Sequence, residues 1–201
     1  MKYINPENLL TAFITLIILA CSNYNANNQT NESTEKRGFP LKYNLLQPDK
    51  KIKLPTDLQE ISALSYYTDN QLVCIQDEKA DVYVVNYKTD SVTQKVKSDI
   101  YGDYEGVEYV EGNIWLIRND GELTEIVNPG MQDESKTVFA LNKISNKNDV
   151  EGLGYDPKSN SLLLAFKAKA HLKKDEKLEN TRAIYRFDLK SKSYIKTILN
   201  Y

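Results

Sequence analysis

A single histidine, His171, and only two cysteines, Cys21 and Cys74, occur in the 201 residues. One imidazole excludes a two- or three-histidine metal centre, and two thiols exclude a disulfide framework or a four-thiolate zinc site. An excess of either charge is also lacking: 26 Lys and Arg oppose 28 Asp and Glu, a net −2, with no basic cluster. The electrostatic footprint of nucleic-acid binding is therefore missing, and no DNA or RNA partner is expected. A Walker loop, an HExxH pair and a nucleophile elbow are absent as well, so the chain carries no recognisable enzyme signature.

What is present begins with an address. Residues 9–20, LLTAFITLIILA, hold no charge, follow Lys2 and end at Cys21. Twelve residues are too few to span a bilayer but match the apolar core of an export signal. Ile18-Leu19-Ala20-Cys21 resembles a bacterial lipobox, with a small residue before the cysteine that would be acylated. Residues 1–20 are accordingly expected to be a lipoprotein signal peptide and Cys21 the lipidation site, each buried CH₂ of the acyl chains contributing about 0.8 kcal/mol to anchoring. The next stretch, SNYNANNQTNESTEKRG, has five Asn and almost nothing apolar, so residues 21–38 read as a flexible polar tether. Ser22 is not the Asp that resembles an inner-membrane retention signal, which tilts the expected location within the cell envelope to the outer membrane. Cys74 lies in the apolar run Leu72-Val73-Cys74-Ile75 and reads as a small core residue.

From residue 39 onward the organising feature is repetition. Ala63-Leu64-Ser65-Tyr66, Gly106-Val107-Glu108-Tyr109 and Gly152-Leu153-Gly154-Tyr155 each precede a polar turn and an apolar strand: QLVCIQ (71–76), NIWLIR (113–118) and SLLLAF (161–166). Their tyrosines are 43 and 46 residues apart, about the length of a four-stranded propeller blade. YVVNYKTDS (83–91) matches YRFDLKSKS (185–193) in type, again as strand, turn and strand. The latter pair is separated by 102 residues and Tyr66 from Tyr155 by 89, so thirteen extra residues fall within 167–182, read as a charged hairpin excursion that carries His171. Residues 39–201 are thus expected to form an all-β domain, a partial β-propeller of about three four-stranded blades, with residues 42–46 and 52–55 adding one or two leading strands. A closed propeller needs four or more blades. A fragment, a truncated reading frame and a chain closed by a partner all remain open.

The segments LPTDLQEISALSYY (54–67), QDEKADVYVVN (76–86), GDYEGVEYVEGNIWLI (102–117) and DVEGLGYDPKSNSLLLAFK (149–167) resemble the SdiA-regulated, or YjiK-like, family. The repeated Glu-Gly-hydrophobic-x-Tyr is the most specific element. That resemblance implies a six-bladed type of propeller held in the bacterial envelope, often as a lipoprotein, without a settled activity. It also implies an architecture similar to the calcium-dependent propeller phytases, and a link of some members to calcium responses.

The acidic residues supply a chemical expectation. Asp103-Tyr104-Glu105-Gly106 and Asp149-Val150-Glu151-Gly152 place carboxylates just before an inner strand, and Glu60 precedes the first with a two-residue offset. Inner-strand starts gather around a propeller's centre, so Glu60, Glu105 and Glu151, with Asp77 between the second and third strands, are the candidate ligands of a hard-oxygen site for Ca²⁺. The alternative is that each Glu fixes blade-to-blade register by accepting backbone N–H groups, with Gly106 and Gly152 allowing a tight turn beside it. The leading functional expectation is a non-enzymatic lipoprotein, anchored to the membrane through its lipid, that binds calcium, a small ligand or another envelope protein. A calcium-dependent, phytase-like phosphoesterase is the alternative; Arg118 and Lys79 are the nearest basic groups for a phosphate.

Overall fold

The computed structural model describes residues 44, 46–98, 100–140, 144–170 and 182–195. The chain divides into one unit up to Asp49 and a second from Lys50. In the first, the described residues form a turn in which the Gln47 N–H donates to the Asn44 carbonyl. Cys21, the signal and the tether lie outside the described residues, as does His171. No helix among the described residues is long and apolar enough to cross a membrane.

Among the described residues twelve strands make three antiparallel sheets, each in simple sequential order. The first contains β1 (Ile61–Thr68), β2 (Gln71–Gln76), β3 (Val82–Asn86) and β4 (Ser91–Val96). The second contains β5 (Tyr104–Val110), β6 (Asn113–Arg118), β7 (Leu123–Val127) and β8 (Ser135–Phe139). The third contains β9 (Val150–Asp156), β10 (Ser161–Phe166), β11 (Ala183–Asp188) and β12 (Ser193–Ile195). Asn70, Glu111 with Gly112, and Asn160 take positive φ at the first hairpin of each sheet, the backbone that tight hairpins require. The third hairpin repeats the device, with Asp90 at φ 56° and Lys192 at φ 50°.

Stacking of the sheets explains the strand sequences. Val73, Cys74 and Ile75 of β2, and Ile114 through Ile117 of β6, are buried on both faces because each of these strands lies between two packed layers. One apolar cluster joins the first two sheets through Val73, Ile75, Val82, Tyr104, Leu116 and Ile126. Another joins the second and third through Trp115, Ile117, Leu162, Leu164, Tyr185 and Phe187. The inner strands β1, β5 and β9 pack in succession, while the fourth strands are the most exposed. This is a β-propeller arrangement of three four-stranded blades.

One expectation needs correction: residues 52–55 do not pair as a strand. They run unpaired to Pro55 and enter a 3-10 turn, Thr56–Leu58, and Leu54 and Leu58 pack on Cys74, Tyr83 and Val85 of the first blade. The space between β10 and β11, residues 167–182, is where the sequence places its insertion.

Candidate functional site

A backbone belt ties each blade to the next where the inner strands begin. The Tyr104 N–H donates to the Asp77 carbonyl at 2.8 Å, and the Val150 N–H to the Asn119 carbonyl at 2.9 Å. Within the second and third blades, Asn119 N–H reaches the Asp103 carbonyl (2.9 Å) and Lys167 N–H the Asp149 carbonyl (2.8 Å). Asp77, Asn119 and Lys167 therefore occupy one repeat position, the residue after the second strand. Each inner strand also carries a bulge at its second residue: register skips from Ile61 to Ala63, from Tyr104 to Gly106, and opposite Ala165 and Phe166 from Gly152 to Val150. Bulges re-aim side chains. The residues they re-aim are Ser62, Glu105 and Glu151.

The two-residue offset of Glu60 now has a structural reading. Glu60 stands where Asp103 and Asp149 stand, and the counterpart of Glu105 and Glu151 in the first blade is Ser62, whose buried hydroxyl lacks a hydrogen-bond partner. Glu60 borders a groove of about 460 Å³ with Asp57, Glu78, Lys79, Asp81 and Lys95. There Lys95 pairs with Asp57 (2.9 Å) and Asp81 (3.4 Å) and sits 4.5 Å over the Tyr83 ring. Asp77 borders a different groove with Glu78, Gly102 and Asp103, and its Oδ1 is buried without a partner.

Glu105 and Glu151 do share one electrostatic environment, together with Asp103 and Asp149. Burial, then the charge of Asp103 and the hydrogen bond shared with it, then Glu151 and Asp149, push the Glu105 carboxyl up to about 7. Asn119 Nδ2 donates to Asp103 Oδ2 at 2.5 Å. Lys167 Nζ pairs with Glu151 and lies 3.4 Å from Asp149 Oδ2, and these partners raise its pKa. With a folded pKa near 7 against 4.5 for the free carboxyl, Glu105 binds its proton more readily in the native state. Its contribution to stability is complete below pH 4.5 and lost as pH rises through 7. Neutral and alkaline conditions therefore leave a carboxylate rim short of positive charge.

The structure brings Glu105 and Glu151 together, sets Asp77 beside Asp103, and places Glu60 in the Lys95 groove. Among the described residues, no three His, Cys, Asp or Glu close into a ready-made ligand set. Lys167 and Asn119 were not singled out from the sequence, although aligning the ends of QLVCIQ, NIWLIR and SLLLAF would have exposed their common position. Of the basic groups considered for phosphate, Arg118 is held by Asp120 (2.6 Å) and Glu122 (2.9 Å), and Lys79 sits 4.8 Å over the Tyr101 ring. Burial pushes the Cys74 thiol up to about 11, as a core residue rather than a nucleophile requires. Gly106 and Gly152 are not in the left-handed region, so a tight turn is not their role. A Cβ on Gly106 would lie 2.6 Å from Leu153 Cβ of the next blade, making close approach the reason for this glycine.

Solved structures similar to the chain include the computationally designed Ika4 protein, at 12% identity over 77% of this chain and 82% of that one, with a TM-score of 0.48. Another is the β-propeller domain of Myceliophteria thermophila Cps50 (Swd1), at 12% identity, 70% of this chain and a TM-score of 0.47. The match spans 42% of that domain. No curated protein matches the chain. The SdiA-regulated family profile matches residues 42–174, which include the first two blades and the inner and second strands of the third. The chain belongs to the SdiA-regulated family.

Proposed function

We propose that this propeller is a lipid-anchored binding module of the bacterial envelope, tethered through Cys21, and that its carboxylate rim takes Ca²⁺. The observation that carries the calcium reading is the grouping of Asp103, Glu105, Asp149 and Glu151 where two blades meet, with Lys167 on Asp149 and Glu151; burial and these neighbours push the Glu105 carboxyl up to about 7. Carboxylates crowded in this way gain from a divalent cation, and their oxygens are the hard donors Ca²⁺ prefers. Lys167 now supplies positive charge to Glu151 and Asp149, so a bound cation would displace its ammonium group. The pairing of Arg118 with Asp120 and Glu122 favours binding over phosphate-ester chemistry, since that guanidinium is already engaged.

Calorimetric titration of Ca²⁺ into the full chain is the test. We expect saturable binding that weakens at least about tenfold in the Glu105→Gln, Glu151→Gln double variant and tightens in Lys167→Met. Affinity should fall as pH drops through 7, because the proton competes for Glu105, and Glu105→Gln should flatten that profile. Heat-silent titration of folded protein would return the repeated glutamates to a role in blade register. The anchor has its own check: Cys21→Ser should move the chain from the membrane fraction to the soluble fraction and abolish incorporation of labelled fatty acid. Unchanged partition and labelling would exclude Cys21 as the lipidated residue.

A further inference from the structure

Each blade presents one face to its predecessor and the other to its successor, and register identifies the corresponding residues. Val107 and Tyr109 of the second blade pack into the junction with the first, and Leu153 and Tyr155 of the third into the junction with the second. Their counterparts in the first blade are Leu64 and Tyr66, which are 59% and 62% exposed. Ile61, counterpart of the fully buried Tyr104 and Val150, is 36% exposed. The opposite end of the series shows the same contrast. Val73 and Ile75, then Trp115 and Ile117, are buried against a following blade, whereas Leu163 and Ala165 at the same positions of β10 are only partly buried and belong to neither cluster.

Charge specifies what fits between these two faces. Opposite Trp115 on β7 stands Glu125, which is buried and pairs at 2.8 Å with Lys192 from the third-hairpin turn of the following blade. Opposite Leu163 on β11, at the corresponding position, stands Arg186, whose Nε is buried without a hydrogen-bond partner. In the first blade the position of Lys192 is held by Asp90, with the same left-handed backbone. Set against one another, these two faces would repeat the Glu125–Lys192 pair with its charges exchanged, Arg186 meeting Asp90. Among the described residues Asp90 pairs with the half-exposed Lys50 at 2.6 Å, a surface pair of little worth.

We infer that the chain associates with a second copy of itself head to tail, the Leu163–Arg186 face of one third blade receiving the Leu64–Tyr66 face of the other copy's first blade. The junction continues the blade-to-blade interface already present within the chain. Leu64 and Tyr66 bury as Val107 and Tyr109 do, Asp90 neutralises Arg186, and the Lys167 carbonyl accepts the Ile61 N–H as the Asp77 and Asn119 carbonyls accept those of Tyr104 and Val150. Leu54 and Leu58 line the junction as Ile100 and Ile144 line the two internal ones. Such a contact is heterologous, joining two different faces.

Light scattering of the full chain over a range of concentrations tests this, against 23.0 kDa for one chain. The expected mass is a multiple of that value. Leu64→Asp, at a position exposed in the folded chain, and Arg186→Glu, which sets two acidic groups face to face, should each weaken association at least about tenfold. Mixing the two variants should yield a species of two chains and no larger, because each retains one intact face. Exchanging the charges, Asp90→Arg with Arg186→Asp, should restore association. A mass of one chain at every concentration would overturn the inference. So would association that both single variants leave unchanged, or two variants that fail to complement one another.

Discussion

Replacing Trp115 by Ala is expected to lower the stability of the propeller by about 3–5 kcal/mol, the cost of emptying a large aromatic site in a packed core. Trp115 is 1% exposed on the β6 face that meets the third blade. Its ring centroid lies 5.8 Å from those of Phe139 and Phe187, and Lys192 Nζ sits 4.3 Å over it. Three strands and the Glu125–Lys192 pair therefore lose a common support. Because Trp115 is the only tryptophan, unfolding must be followed by far-UV circular dichroism rather than fluorescence. Leu64→Ala, at a position 59% exposed, should change monomer stability by no more than about 0.5 kcal/mol. Equal losses for the two variants would contradict the placement of the core between blades.

The second large effect is expected at a glycine. A Cβ on Gly106 would come 2.6 Å from both Ile117 Cγ2 and Leu153 Cβ, and 3.1 Å from the Leu153 backbone nitrogen. Gly106→Val must then push the inner strands of the second and third blades apart, an overpacking that costs about 3 kcal/mol. Gly154 is the control. A Cβ there meets nothing within 4 Å, so Gly154→Ala should be neutral or stabilise by about 0.4–1 kcal/mol through the unfolded chain. A urea midpoint below the parent protein's for Gly106→Val, with that of Gly154→Ala at or above it, would establish close approach as the reason for Gly106. Coincident midpoints would remove it.

These residues also show where sequence reasoning worked and where it ran out. The runs QLVCIQ, NIWLIR and SLLLAF announce apolar strands, and the structure pairs them as β2, β6 and β10, the second strands of the three blades. The Glu-Gly-hydrophobic-x-Tyr spacing marks the inner strands correctly. It does not reveal that Glu60 stands in the Asp103 position while Ser62 takes that of Glu105, because the bulge that separates them is a property of pairing. Nor does repetition fix burial. Tyr66, Tyr109 and Tyr155 share one position, yet among the described residues a preceding blade packs against Tyr109 and Tyr155, whereas Tyr66 is exposed. Residues 52–55 have strand-like side chains, but among the described residues no strand pairs with them.

By itself, then, the sequence determined the all-β class, the near-45-residue unit, the hairpin turns and the family. The first three rest on local physics, namely apolar runs of strand length, polar turns between them and the spacing of like segments, and the family on the resemblance of whole segments. Tertiary structure decided which carboxylates meet, that Lys167 faces Glu151 and Asp149, and which blade faces stay open. Those outcomes depend on contacts between residues distant in sequence, from 16 positions for Lys167 with Glu151 to 67 for Glu125 with Lys192. Strand patterning tells each residue which side of its sheet it takes, while the neighbour across that side is chosen only when blades stack.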